Sequence, residues 1–123
     1  SLANPIQALL ESKTQYLYVA NQGNNISGSG NNPASGIAGY VINTAPTFQL
    51  SFTDPDTFGS GSGPQCIVED PSDQFIYEAN LYSNNVTGLA LDSKSGNLNP
   101  LRTTGAYHLD GPGTWCFIDG RTN

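Results

Sequence analysis

Basic residues are scarce in this chain. Of its 123 residues only four are Lys or Arg, against ten Asp or Glu, and the formal net charge is −6. Lys13, Lys94, Arg102 and Arg121 are dispersed along the sequence. A nucleic-acid groove clusters cations to displace counterions, so no nucleic-acid partner is expected. The acidic excess acts mainly on solubility. Long apolar runs are missing too. Nothing approaches the roughly 20 apolar residues that cross a bilayer as a helix, and no window sustains helical periodicity. One histidine and two cysteines supply at most three zinc-type ligands, without ligand spacing. Neither a metal nor a cofactor is expected. There is no Cys-x-x-Cys pair, and no Gly-x-Ser-x-Gly elbow to support a serine hydrolase. Gly28-Ser29-Gly30 and Gly59-Ser60-Gly61-Ser62-Gly63 precede neither a helix signal nor a Lys-Ser/Thr pair, so they read as connectors rather than phosphate cradles. No signal peptide is visible. The chain opens at a predicted strand and stops within a repeat, which suggests a piece of a longer protein or a processed form.

What is present is turn chemistry and short strands. Gly (14) and Pro (8) are abundant, while charged residues make up only 11%. The strands repeat. Gln15-Tyr16-Leu17-Tyr18-Val19-Ala20-Asn21 aligns with Gln74-Phe75-Ile76-Tyr77-Glu78-Ala79-Asn80 at an offset of 59 residues. Ile37-Ala38-Gly39-Tyr40-Val41-Ile42-Asn43 aligns with Val86-Thr87-Gly88-Leu89-Ala90-Leu91-Asp92 at an offset of 49, the difference being an insertion within 23–36. Cys66 to Cys116 gives a further period of 50. Periods of about 40–50 residues with several strands each are the signature of a β-propeller. The pattern predicts strands at about 5–11, 15–21, 36–43 and 47–53, then at 64–70, 74–80, 86–92 and 97–102. Asp70-Pro71-Ser72-Asp73 and Asp92-Ser93-Lys94-Ser95-Gly96-Asn97 mark turns between them. The expected fold is all-β: a partial β-propeller of two four-stranded antiparallel blades, about 4–58 and about 63–105, plus the inner strand of a third at about 112–119.

The strands Tyr16-Leu17-Tyr18-Val19-Ala20-Asn21 and Phe75-Ile76-Tyr77-Glu78-Ala79-Asn80 are each followed by a Val/Ile-x-Gly-x-x-hydrophobic-Asn/Asp strand. Together with the Asp70-Pro71-Ser72-Asp73-Gln74 turn, they resemble the repeat of the YVTN and lactonase-type seven-bladed propellers. The resemblance covers essentially the whole chain. It implies about seven blades, of which two have two open faces and cannot close a ring. The partners expected are therefore the remaining blades or further copies of the chain, with a carbohydrate or protein ligand as a further expectation. The resemblance also places the first strand of each blade innermost, where neighbouring blades are closest. Cys66 and Cys116 occupy matching positions there, so a disulfide is expected, with two buried thiols as the alternative.

Lactonase-type relatives work through acidic, Arg and His side chains around a central pocket. The residues here that offer such chemistry are Glu69, Arg102, His108 and Arg121, and none sits in a diagnostic motif. His108 is expected on the loop that returns to the centre, with Asp110 close in sequence. Glu11, Glu69, Asp70 and Asp119 end successive inner strands. A ring of carboxylates could bind a cation or act as a base, but the favoured reading is that these residues form turns. Trp115 is expected to pack between blades, with a sugar-stacking platform as the alternative. Asn25-Ile26-Ser27 and Asn85-Val86-Thr87 fit the glycosylation sequon. The repeat looks bacterial by resemblance, so Asn25 and Asn85 are expected unmodified; in a eukaryotic secreted protein they would carry glycans.

Three functions are compatible with this reading. The first is a non-catalytic extracellular or periplasmic propeller module with a structural or interaction role. The second is a lactonase-like hydrolase fragment acting on a sugar lactone. The third is a self-assembling blade unit that forms a ring or filament.

Overall fold

A computed structural model describes residues 2–24, 34–102 and 106–119. Among these residues there is no helix. One antiparallel sheet has the order β1(Pro5–Leu10), β2(Tyr16–Asn21), β3(Gly36–Ile42), β4(Leu50–Phe58). A second has the order β5(Pro64–Glu69), β6(Phe75–Asn80), β7(Asn85–Leu91), β8(Leu98–Pro100), with β9(Tyr107–His108) also paired to β7.

The inner halves of the two blades are near-identical in construction. Each inner strand opens on a proline, which has no N–H to leave unpaired. Each carries a register shift at the same place, between Pro5 and Gln7 and between Pro64 and Cys66. The following turns match as well. Glu11 accepts the N–H groups of Lys13 and Gln15 (2.9 and 3.0 Å), and Asp70 accepts that of Ser72 (3.1 Å). Thr14 and Asp73 take the same left-handed conformation, with φ of 57° and 59°. Glu11 and Asp70 thus form turns, as expected.

The outer strands differ from expectation. The fourth strand, expected over 47–53, runs instead from Leu50 to Phe58. Its ladder with β3 shifts register between Ala38 and Tyr40 and then resumes at Thr57 and Phe58. Pro55 is accommodated because this is an edge strand. In the second blade the outer strand is split. Leu98–Pro100 pairs with Leu89–Leu91, and Tyr107–His108 pairs with Asn85 and Val86, which carries the sheet past residue 105. The inner strand expected at 112–119 makes no strand pairing among the described residues. A strand exists through its ladder, and no described segment offers one here.

The two sheets pack face to face through Tyr16, Tyr18, Ala20, Ile37 and Phe58 of the first blade and Ile67, Ile76, Leu89 and Leu98 of the second. Each fully buried Ile or Leu here stabilises by about 1.5–3 kcal/mol. Polar groups lock the seam in register. Tyr16 and Tyr18 donate their hydroxyls to the carbonyls of Ser93 (3.1 Å) and Gly96 (2.6 Å), and the Ile67 N–H donates to Gln7 Oε1 (3.0 Å). Gly96 has φ of 77°, and an added Cβ would stand 2.5 Å from the Tyr16 ring. Glycine is required there twice over.

Candidate functional site at the loop end of the second blade

Strand alternation puts Ile76, Glu78 and Asn80 on the face of β6 that meets the first blade. Ile76 fills the apolar seam, whereas Glu78 and Asn80 carry polar atoms into it. Both are 0% exposed. Asn80 Nδ2 donates to Asn85 Oδ1 and to Thr87 Oγ1, each at 2.9 Å. Ser83 Oγ donates to the same Asn85 oxygen (3.0 Å), and the Gly61 N–H donates to Thr87 Oγ1 (3.1 Å). The segment linking the blades is thereby clamped over β6 and β7. A Cβ on Gly61 would lie 2.5 Å from Asn80 Nδ2, so this close approach needs glycine.

Both Glu78 carboxylate oxygens and Asn80 Oδ1 lack a hydrogen-bond partner among the described residues. Burial pushes the Glu78 carboxyl well above the usual carboxylate range. The Ser60 hydroxyl opposes that shift, but it donates to the Gly61 carbonyl (2.8 Å). Beside this network, Ser60, Gly61, Asn85, Thr87, Arg102 and Tyr107 border a hollow of about 320 Å³. The Arg102 guanidinium lies over the Tyr107 ring at 5.2 Å, a cation–π distance.

The sequence-predicted residues do not converge. Glu69 ends β5 and reaches across to the first blade, accepting the Ser12 N–H (2.9 Å) and hydroxyl (3.3 Å). Burial is the main cause that raises its carboxyl. Arg102 follows β8, three strands further out, about 14 Å at the usual strand spacing. His108 lies on β9, exposed and opposite Asn85, rather than on a loop running to the centre. Relative to Glu69 it is at the other edge and the other end of the sheet. Arg121 and Asn25 lie outside the described residues. Asn85 spends its side-chain oxygen on the Asn80–Ser83 network. Among the described residues no three His, Cys, Asp or Glu side chains are placed to hold a metal.

Cys66 and Cys116 form a disulfide with Cα atoms 5.9 Å apart. Trp115, expected to pack between blades, is instead 81% exposed, and Phe117 is 79% exposed. No described blade lies against them. Sequence reasoning passed over Glu78, although a signal existed: the repeat alignment sets this glutamate on Val19, at a position that faces a neighbouring blade.

Two four-stranded antiparallel units packed face to face, each with its first strand toward a common centre, define consecutive blades of a β-propeller. A profile described as "Lactonase, 7-bladed beta-propeller" matches residues 7–115, and the chain belongs to that family. The fold is similar to that of the periplasmic gluconolactonase of Pseudomonas aeruginosa, with a TM-score of 0.65 and 20% identity over 91% of this chain and 28% of that one. It is also similar to a proposed 6-phosphogluconolactonase of Bacteroides uniformis, with a TM-score of 0.62 and 18% identity over 85% of this chain and 27% of that one. The chain thus spans little more than a quarter of the length of these structures. A comparison with curated proteins gives no match.

Proposed function

We propose that this chain supplies two blades of a lactonase-like hydrolase that opens the cyclic ester of a sugar acid. The observation that carries this reading is the family match over residues 7–115. A location outside the cytoplasm accompanies it, supported by the Cys66–Cys116 disulfide. Hydrolysis of gluconolactone and its 6-phosphate by the full-length protein, followed by acid release at constant pH, tests the proposal. Turnover is expected well above the uncatalysed rate.

The separation of Glu69 from Arg102 and His108 favours a scaffold role for these blades within such an enzyme. It equally suits the second reading, a non-catalytic extracellular or periplasmic module. E69Q, R102A and H108A should each leave kcat within about threefold of the parent, since a general acid or base contributes about 10²–10⁴-fold. A hundredfold loss in any one would make that residue catalytic. Absence of turnover on both lactones would leave the module reading standing.

A further inference from the structure

The two blades are copies, and setting one on the other isolates a departure. At the offset of 59 residues, Glu78 stands where the first blade has Val19, and Asn80 where it has Asn21. Across the ladder Val19 pairs with Ala38, whereas Glu78 pairs with Thr87. An apolar cross-strand pair in one blade has become a carboxyl–hydroxyl pair in the next. The apolar pair borders the hollow on the open face of the first blade, while in the polar pair Glu78 is fully buried and Thr87 is half-buried beside the other hollow. Burying a carboxylate without a partner costs far more than burying the acid, so such a group sheds its charge. Departures from local rules of this size tend to mark function.

We propose that the seam between the two blades is a proton-operated latch, closed while the Glu78 carboxyl is neutral and loosened when that group must carry charge. Among the described residues around Glu78 only the Ser60 hydroxyl favours the charge, and it does so less than burial opposes it. The ladder partners of Glu78 are Thr87 of β7 and Ile67 of β5, and the rest of the buried seam is apolar, with Leu89, Ile37 and Phe58 among its residues. The linking segment brings Ser60 and Gly61. Titratable groups on the facing elements are already engaged towards the opposite end: Glu69 with Ser12, and Tyr16 and Tyr18 with the carbonyls of Ser93 and Gly96. No cation on these elements reaches the seam among the described residues. Parting the linking segment from β7 would let water reach an ionised Glu78, and it would break the Gly61–Thr87 hydrogen bond.

The sign follows from linkage. The folded chain keeps the proton over a range in which the unfolded chain, with an ordinary value near 4.5, has lost it. Stability is therefore full on the acid side and falls as pH rises towards the folded-state value, then levels off. Urea unfolding of the full chain from about pH 4 to pH 9, for the parent, E78Q and E78V, tests this. The parent should lose up to about tenfold in its folded-to-unfolded ratio per pH unit above 4.5. Both variants should lack that slope and approach the parent at the acid end. Proteolysis within 59–63, compared between parent and E78Q at each pH, should be faster in the parent only at alkaline pH. Parallel pH profiles for parent and variants would overturn the latch. So would a stabilisation of the parent by calcium chloride at neutral pH that E78Q lacks, since the unpartnered oxygens would then be cation ligands. E78Q preserves shape, so failure of E78V to fold leaves the comparison intact.

Discussion

Tyr18 and Gly96 show how much of the seam rests on single atoms. The Tyr18 hydroxyl is buried and donates to the Gly96 carbonyl at 2.6 Å, and burial is the main reason this phenol resists ionisation. Y18F removes one hydrogen bond and leaves a carbonyl unpaired, which should cost about 1–2 kcal/mol in urea unfolding. G96A meets the Tyr16 ring at 2.5 Å and needs a positive φ, so a loss of about 1–3 kcal/mol is expected. The two losses should not add, because both act through the same carbonyl and the same pair of rings. An additive double variant would mean that the tyrosines and the glycine act separately. Glu78 belongs to this scale as well. A strand residue flanked by Tyr77 and Ala79 reads in sequence as one more position of a strand. Only its alignment on Val19 exposes the conflict, because burial belongs to the seam and is formed by residues far apart in the chain.

At the scale of elements, the inner halves of the blades were legible and the outer strands were not. Pro5 and Pro64, the matching turns and the tyrosine-rich second strands repeat residue for residue. Local pattern and local structure therefore agree. The outer strands have one ladder partner each, and a single ladder tolerates a shift at Ala38–Tyr40 or a break after Pro100. Alternation in Phe48, Leu50 and Phe52 therefore misplaced the fourth strand by several residues. The segment 112–119 repeats the sequence of an inner strand, yet pairing needs a neighbour that pattern alone does not supply. The disulfide ties this segment down instead. A double C66A/C116A variant should lose about 2–3 kcal/mol. That is less than the ~4 kcal/mol expected for a closed loop of 50 residues, since the reduced folded chain also gains freedom around residue 116. No change in urea midpoint would show that the bridge constrains neither state.

Taken whole, the described residues form one finished seam and leave two blade faces open. Leu50 and Phe52 are 53% and 65% exposed on the first blade, and Leu101 and Tyr107 are exposed on the second. Such surfaces are what further blades would cover. The isolated chain should therefore self-associate in light scattering above its monomer mass of 13.0 kDa. A persistent monomer at high concentration would count against stacking between copies and leave the remaining blades as the only fitting cover. The family was legible from the repeat because every blade restates it. Chemistry was not, because Glu69, Arg102 and His108 lie on one sheet but at its separate edges and ends.

The Cys66–Cys116 link also decides how the chain would carry load. It joins an inner strand to a segment 50 residues later, so tension applied at the two ends passes straight through the two sulfur atoms. The whole second blade beyond Cys66 hangs from this bridge as a side loop and bears none of the pull. Stretching would unravel the first blade and stop, about 170 Å short of the reduced chain at roughly 3.4 Å per residue. The polar network around Glu78 and Asn80 lies inside that sheltered loop. An oxidising environment would thus protect it from mechanical unfolding while leaving its neighbour exposed to it.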